Sequence, residues 1–137
     1  MDIRAINERV IGQFRAGGEI EGMHRDRLLL LTTAGARTGR RHTTPMMFHR
    51  AGEGDRLLVI ASNAGATADP DWYRNLVADP AVTVEIGDSS YDATAVPLTG
   101  DDRARAWDEI KAAYPFFADH EVKAAGREIP VVELIRR

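Results

Sequence analysis

The chain has no cysteine among its 137 residues, which excludes disulfides, thiolate nucleophiles and cysteine-ligated metal sites. It also lacks any apolar run long enough for a membrane-spanning helix, and its first residues do not have the apolar core of a signal peptide. These absences predict a cytoplasmic protein without an integral membrane segment.

Other absences narrow the function. Lysine is nearly missing, so the positive charge is almost all arginine, and the net charge of −3 disfavours a nucleic-acid binder. No GxSxG or GxGxxG motif is present, which argues against a serine hydrolase and against a Rossmann dinucleotide-binding domain. The histidines are scattered without metal-ligand spacing, so no metal site is predicted; they are His24, His42, His49 and His120.

Apolar patterning predicts six strands, joined mainly by short hairpins, over residues 28–33, 43–49, 56–61, 82–86, 91–98 and 131–135. Strands that follow one another through hairpins pair antiparallel, and closing them into a barrel hides the edges. With 44% hydrophobic residues the chain can bury one core. We therefore expect a single domain over residues 1–137, of the α+β class and mostly β, with an antiparallel barrel.

Residues 2–16 are predicted to form an amphipathic helix, because Ile3, Ile6, Val10 and Phe14 recur at helical spacing. We expect this stripe to pack on the protein's own core or to form a lid over a substrate mouth. Docking on a membrane surface is the less favoured alternative, since the helix has few cationic residues.

Two further helices and one turn are predicted from capping and breaking residues. A short helix begins at Pro70 with Asp69 as its N-cap. A longer helix covers residues 101–114 and ends at Pro115. A turn at residues 52–55 joins the second and third strands.

The segment between the first two predicted strands is rich in glycine, hydroxyl groups and arginine. Gly35 and Gly39 permit positive φ angles that turn backbone N–H groups towards one point. Arg37, Arg40 and Arg41 supply charged forks that match phosphate or carboxylate oxygens. The segment is either an anion-binding loop or a plain hairpin loop with solvated arginines.

Five motifs follow one another along nearly the whole chain. They are the leucine-rich strand at 28–33, Gly35-x-Arg37-Thr38-Gly39 followed by Pro45, Ala61-Ser62-Asn63-Ala64-Gly65, Pro70-x-Trp72-Tyr73-x-Asn75-Leu76-x-Ala78-x-Pro80, and Arg127-x-Ile129-Pro130-Val131. Together they resemble the deazaflavin-dependent nitroreductase family. The resemblance implies a split β-barrel of the FMN-binding type that binds the deazaflavin coenzyme F-420. It also implies hydride transfer from the reduced coenzyme to a small hydrophobic acceptor, such as a quinone, an enone or a nitro compound.

The resemblance assigns the cofactor site to two segments. Positions matching its phosphate and tail site, or adjoining it, are Arg37, Thr38, Gly39, Arg40, Arg41, His42, Pro45 and Met46. Positions matching its ring site are Ser62, Asn63, Ala64 and Gly65. His42 stands where the family usually has an arginine, so affinity for the acidic tail is expected to depend on pH. Without the family, the second segment could equally be a plain strand-to-helix connection.

The resemblance also points to an acceptor site. Nitroreducing relatives carry aromatic hydroxyls at the positions of Tyr114, Phe117 and His120. Only Tyr114 keeps the hydroxyl, whereas the imidazole of His120 can shuttle protons near neutral pH. We assign Tyr114 and His120 as catalytic residues and Phe117 to the acceptor pocket; a core Phe117 with an exposed His120 is an equally open interpretation. Trp72 is expected in the core, and Asn75 is either a buried polar strut or a surface residue.

The leading hypothesis is an enzyme that uses reduced F-420 to reduce a small electron-poor acceptor. The alternatives are a non-catalytic F-420 carrier and an FMN-binding split-barrel protein. The expected partner is a small molecule, and a homodimer is compatible with the sequence.

Overall fold

The computed structural model describes residues 3–52 and 56–137, which contain six strands and four α-helices. The strands are β1 (Leu28–Ala34), β2 (Arg41–Ala51), β3 (Arg56–Ile60), β4 (Ala81–Ile86), β5 (Ser89–Pro97) and β6 (Val131–Arg136). The helices are α1 (Ile3–Ala16), α2 (Asp71–Ala78), α3 (Gly100–Ala113) and α4 (Phe116–Lys123). The predicted helix start at Asp2 and most of the predicted turn at 52–55 lie outside the described residues.

Each strand pairs antiparallel with two neighbours, in the order β1, β2, β3, β6, β5, β4, and β4 pairs with β1 to close the barrel. This confirms the predicted fold class. The largest boundary difference is β2, which is predicted at 43–49. It is longer because Arg41 pairs with Ala34 of β1 at one end and Ala51 pairs with Arg56 of β3 at the other. Cross-strand pairing therefore recruits polar residues that the pattern leaves out.

The apolar runs of β1 and β3 do not alternate with polar residues because both of their faces are covered. Leu29 and Leu31 point into the barrel, whereas Leu28 and Leu30 pack under α1. A strand that is buried on both sides reads as a continuous hydrophobic run. None of the described helices packs a buried cluster against the outer faces of β4 and β5, and buried residues alternate with more exposed ones along these strands.

The predicted core packing of α1 is confirmed for most of its stripe. Val10 and Phe14 are buried against Leu28 and Leu30 of β1, and Ile6 packs beside them. The prediction is wrong for Ile3, which is 66% exposed. Within the described residues, no helix is both long and apolar enough to span a membrane.

Helices α3 and α4 cover the opposite wall of the barrel. Trp107 and Ile110 of α3 and Phe117 of α4 share a buried cluster with Leu58 and Ile60, the outward-facing residues of β3. A backbone turn through Tyr114 and Pro115 separates the two helices, as predicted from the proline.

The predicted N-cap of α2 is wrong. Pro70 is the N-cap residue, and no side chain caps this helix. Asp69 instead accepts a hydrogen bond from Arg127 at 2.7 Å. An ion pair with a nearly buried guanidinium is stronger than a single hydrogen bond to a helix N–H, so the carboxylate points away from the helix.

Candidate functional site

The first part of the site is the 35–40 loop, which joins β1 to β2. Its Gly35 N–H donates to the Arg40 carbonyl at 2.7 Å, and its Gly39 N–H donates to the Gly35 carbonyl at 2.8 Å. The Thr38 hydroxyl accepts a hydrogen bond from the Arg40 N–H at 3.2 Å. These bonds close the loop on itself and leave the side chain of Arg37 exposed.

The two glycines of this loop are needed for different reasons. Gly39 has the predicted positive φ, at +71°. The same prediction is wrong for Gly35, whose φ is not positive. A Cβ at Gly35 would lie 3.1 Å from His42 Nε2 and 3.2 Å from the Arg40 carbonyl oxygen, so a side chain would fit only if one of these neighbours moved by a few tenths of an ångström. His42 reaches this point because it pairs with Thr33 across the hairpin.

Asn75 of α2 is a polar strut rather than a surface residue. Its Oδ1 accepts a hydrogen bond from the Ala36 N–H at 3.0 Å, and its Nδ2 donates to the Thr33 hydroxyl at 3.2 Å. The side chain therefore ties α2 to both the strand and the loop that follows it. This contact holds the 35–40 loop in place beside α2.

A groove of about 1020 Å³ lies between this loop, α1 and α2. Five arginines and two carboxylates line it: Arg4, Arg15, Arg37, Arg41, Arg74, Glu8 and Asp71. Arg15 is paired with Glu85 and Arg74 with Asp71. Among the described residues, Arg4, Arg37 and Arg41 have no ion-pair partner, although Arg41 donates to the Thr83 hydroxyl at 2.7 Å. The groove is thus strongly cationic in a chain of negative net charge.

Strand β2 leads from the groove along the barrel wall. Arg41 and His42 lie in the groove, whereas Pro45 lies further along the strand and pairs with Leu30 of β1. The side chain of Met46 packs against the barrel interior. Met46 can therefore offer a ligand on the outside of the barrel only its backbone.

The second part of the site is the 61–69 loop between β3 and α2. Asn63, Ala64 and Gly65 have φ angles of +51°, +54° and +81°, so three consecutive residues are left-handed. Ser62 is 7% exposed and accepts a hydrogen bond from the Gly65 N–H through its carbonyl at 2.9 Å. A left-handed conformation costs a non-glycine residue roughly 1–2 kcal/mol. Other contacts must therefore hold this turn.

Those contacts come from Arg127 and from α4. The guanidinium of Arg127 donates to the carbonyls of Ala61, Ser62 and Ala66 at 3.1, 2.7 and 3.0 Å. A Cβ at Gly65 would lie 2.9 Å from the Cβ of Lys123 on α4, so the loop backbone packs directly on that helix. The Ser62 hydroxyl also contacts His120 Nδ1 of α4 at 3.1 Å.

The predicted acceptor residues lie together on and before α4. Phe116 and Phe117 each make ring contacts with both Tyr114 and His120, with centroid distances of 5.5 to 6.3 Å. Phe117 is 5% exposed and packs in the core, whereas Tyr114 and His120 are half-buried. His49 of β2 meets the Tyr114 ring edge-on at 6.0 Å. Among the described residues, the Tyr114 hydroxyl has no hydrogen-bond partner.

The register of β2 and β3 relates the two parts of the site. The pairing of β2 with β3 ends at Phe48 and Val59, two residues before Ala61, where the 61–69 loop begins. Arg41 precedes Phe48 by seven residues, or about 23 Å along a strand at 3.3 Å per residue. The two loops therefore lie at separate places along β2, and a ligand must be elongated to reach both.

Sequence reasoning missed several residues of this site. Arg127 appears in the sequence analysis only within a motif, and Arg4 and Arg15 are not assigned to a site there. Arg4, Glu8, Ile11 and Arg15 share a second stripe of α1 that faces the groove, and their spacing could have indicated this. Trp72 packs against the barrel interior, as expected, but also lines the groove.

Among the described residues, no group of three or more histidine, aspartate or glutamate side chains could hold a metal ion. A protein-family model described as F420H(2)-dependent quinone reductase matches residues 4–135. The chain belongs to this family. Membership confirms the predicted resemblance and the prediction of an F-420-dependent oxidoreductase, with F-420 as cofactor.

Relatives agree with this placement. F420H(2)-dependent quinone reductase Rv1261c from Mycobacterium tuberculosis is 36% identical over 111 residues, which are 80% of this chain and 73% of that protein. The solved structure of an F420-H2 dependent reductase, FDR-A, superposes with a TM-score of 0.69 at 35% identity and covers 82% of this chain and 99% of its own. A structure described as a domain-swapped dimer has a TM-score of 0.70 at 34% identity and covers 96% of each chain.

Proposed function

We propose that this protein reduces a quinone with reduced F-420, holding the phosphate and acidic tail of the coenzyme in the groove and its ring beside the 61–69 loop. The observation that carries the proposal is a set of groove arginines that have no ion-pair partner in the described part of this negatively charged chain. A cationic ligand would be repelled by them, and a neutral ligand would gain only weaker hydrogen bonds. An elongated anion would gain several charge-assisted hydrogen bonds.

The donor set fits the anionic part of F-420. Arg37 and Arg41 line the groove from the 35–40 loop and from β2, and Arg4 lines it from α1. Because none of the three has an ion-pair partner among the described residues, anion binding there does not require an existing pair to be broken. Asn75 keeps the loop that carries Arg37 attached to α2. We assign these arginines to the phosphodiester and the glutamate tail.

The 61–69 loop fits the ring. Its exposed residue Ala64 and its buried Gly65 have little or no side chain, so a planar group can approach the backbone closely. The amide of Asn63 is turned back to the Ala68 carbonyl at 3.0 Å and does not block this approach. Ser62 is held by His120, which lies on the acceptor side.

Bound reduced F-420 supplies a hydride. Conversion of a quinone to a quinol takes one hydride and one proton, and negative charge builds on a quinone oxygen during the transfer. We assign Tyr114 and His120 to stabilise that charge, because each side chain can donate a hydrogen bond or a proton to the quinone oxygen. The contact between His120 Nδ1 and Ser62 orients the ring and leaves its Nε2 for the acceptor. Phe117 supports both residues from the core.

The test is anaerobic mixing of the protein with reduced F-420 and a soluble menaquinone analogue. Turnover restores the visible absorbance of oxidised F-420, and mixtures without protein or without quinone are the controls. A separate titration compares oxidised F-420 with FMN. Binding of F-420 without turnover on a quinone, an enone or a nitro compound would make the protein a carrier. Tighter binding of FMN would overturn the cofactor assignment.

The same proposal includes pairing of two chains. Val96 and Ile135 are 38% and 47% exposed and are diagonal neighbours on the outer face of β5 and β6. These two exposed apolar side chains, which lie beside the charged Glu133, offer a small contact surface for a second copy. Light scattering during size exclusion measures the mass directly, and a monomer at all concentrations would contradict the pairing.

A further inference from the structure

We propose that Arg127 is the positioning residue of the active site, because it holds the 61–69 loop in its left-handed turn and thereby places both the ring of F-420 and helix α4. This inference rests on the proposed function. Arg127 lies in the segment between α4 and β6, outside both loops that the sequence assigns to the cofactor.

The contacts of Arg127 surround the turn. Its acceptors are the carbonyls of Ala61 and Ser62 before the left-handed residues, the carbonyl of Ala66 after them, and the carboxylate of Asp69. All four lie between 2.7 and 3.1 Å. One planar group therefore fixes both ends of the turn.

The side chain is suited to this role. It is 12% exposed, so its hydrogen bonds are largely protected from water. Guanidinium presents five N–H donors in a rigid plane, which allows one group to serve acceptors that lie in different directions. An ammonium group at the same place could keep the ion pair with Asp69 but could not reach three carbonyls at once.

The turn in turn contacts α4, so the position of the turn affects the position of His120. Gly65 packs on the backbone of His120 and on Lys123, and the Ser62 hydroxyl contacts His120 Nδ1. If the turn relaxes, both contacts are lost together. Arg127 does not line the arginine-rich groove, and yet it would then control how the ring and the proton donor face each other.

The first arm of the test uses the protein without cofactor. Hydrogen–deuterium exchange of residues 61–69 is compared among wild type, Arg127→Lys and a matched control, Arg103→Lys. Arg103 is 14% exposed and donates to the Ile129 carbonyl at 2.6 Å, but it has no contact with the 61–69 loop. We expect at least tenfold faster exchange in this loop for Arg127→Lys and no change there for Arg103→Lys.

The second arm measures affinity for F-420 and for its deazaflavin riboside, which lacks the phosphate and the tail. Arg127→Lys should weaken both ligands by the same factor, tenfold or more, because the defect lies at the ring end. It should also raise the KM for the coenzyme more than the KM for the quinone. Arg103→Lys should change neither affinity even if it lowers stability equally.

A third variant keeps the proposal testable if Arg127→Lys does not fold. Asp69→Ala removes one of the four acceptors and should speed exchange and weaken both ligands severalfold, again in equal proportion. Wild-type exchange rates and affinities in Arg127→Lys, or in Asp69→Ala where only that variant folds, would overturn the inference. Failure of wild type to bind either ligand would instead refute the proposed function, and the exchange arm would still decide the role of Arg127.

Discussion

The 35–40 loop and the 61–69 loop form the two ends of the proposed cofactor site, and they are built in opposite ways. The 35–40 loop is exposed, is closed by its own backbone bonds, and presents cations that have no ion-pair partners among the described residues. The 61–69 loop is held by hydrogen bonds from Arg127 and packs on α4. The guanidinium of Arg127 already donates to three carbonyls and to the carboxylate of Asp69. The 35–40 loop is therefore suited to attracting an anion, whereas the 61–69 loop is suited to holding a group in one fixed position.

This difference has a physical basis. A flexible polyanionic tail needs charge at roughly the right place, and exposed arginines supply it with little constraint on geometry. Hydride transfer needs the reacting atoms within a fraction of an ångström of their correct positions, so the end that holds the ring must be rigid. The two ends should therefore respond differently to substitution.

Two glycine variants should give the largest contrast. Gly65 and Gly39 both have left-handed φ angles. A Cβ at Gly65 would lie 2.9 Å from Lys123 and 3.1 Å from the His120 carbonyl, whereas no atom of the described residues lies within 4 Å of a Cβ at Gly39. We expect Gly39→Ala to lower the free energy of unfolding by about 1 kcal/mol and Gly65→Ala by about 2–4 kcal/mol. Urea denaturation followed by tryptophan fluorescence measures both. Equal losses would mean that α4 yields easily and that the 61–69 loop is not rigid.

Removing charge from the groove should affect affinity rather than stability. Arg37→Ala should weaken F-420 binding by about 1.5–3 kcal/mol, because it removes a charge-assisted hydrogen bond. Binding of the riboside without phosphate should not change. Isothermal titration at two salt concentrations checks this, with Arg105→Ala, an exposed arginine on α3, as the matched control. A riboside affinity that fell equally would place Arg37 at the ring end.

The acceptor residues should affect the rate and leave coenzyme affinity intact. Tyr114→Phe should lower kcat/KM for the quinone about tenfold, since a hydrogen bond made mainly in the transition state is worth about 1–2 kcal/mol. His120→Gln keeps a polar contact with Ser62 but removes the imidazole as a proton donor, so it should also lower kcat/KM for the quinone. Steady-state rates for wild type and both variants check this. Unchanged rates in both would mean that protons come from water.

The smallest effect on stability should come from Glu121, which lies on α4, the helix that packs against the 61–69 loop. The Trp107 indole N–H, followed by Lys111, holds the pKa of this carboxyl below its usual value of 4.5. A lowered folded pKa stabilises the protein above the unfolded pKa, and that contribution is lost as pH falls through the folded value. Because Glu121 is 43% exposed, we expect less than about 1 kcal/mol. Acid unfolding of Glu121→Gln should therefore depend less on pH below about 4.5, and a curve parallel to wild type would contradict this.

Much of the fold could be predicted from local pattern. The alternation of β4 and β5, the unbroken apolar runs of β1 and β3 and the helical stripe of α1 each report how many sides of an element are buried, and burial is the dominant stabilising term. Proline positions gave the breaks at Pro115 and near Pro70. The loop chemistry around Arg37 and the order of the motifs led to the correct family.

The sequence could not predict which residues from distant parts of the chain contact each other. Asp69 carries a good N-cap signal, yet it pairs with Arg127, which is 58 residues away. Gly35 carries a good turn signal, yet its φ is not positive, and the close approach of His42 is what leaves little room for a side chain there. Local propensities are worth about 1 kcal/mol each, so a single buried ion pair or close contact can override them.

The sequence by itself therefore determined the strands, the helices, the antiparallel closure and the chemical character of the two cofactor segments, because these follow from short-range periodicity and residue type. Only the tertiary structure decided which arginines face one groove, that α1 forms a wall of it, and that one arginine near the C-terminus holds the loop after β3. Those outcomes depend on side chains meeting from elements far apart in the chain. Closure of the barrel brings them together, and no local pattern encodes that geometry.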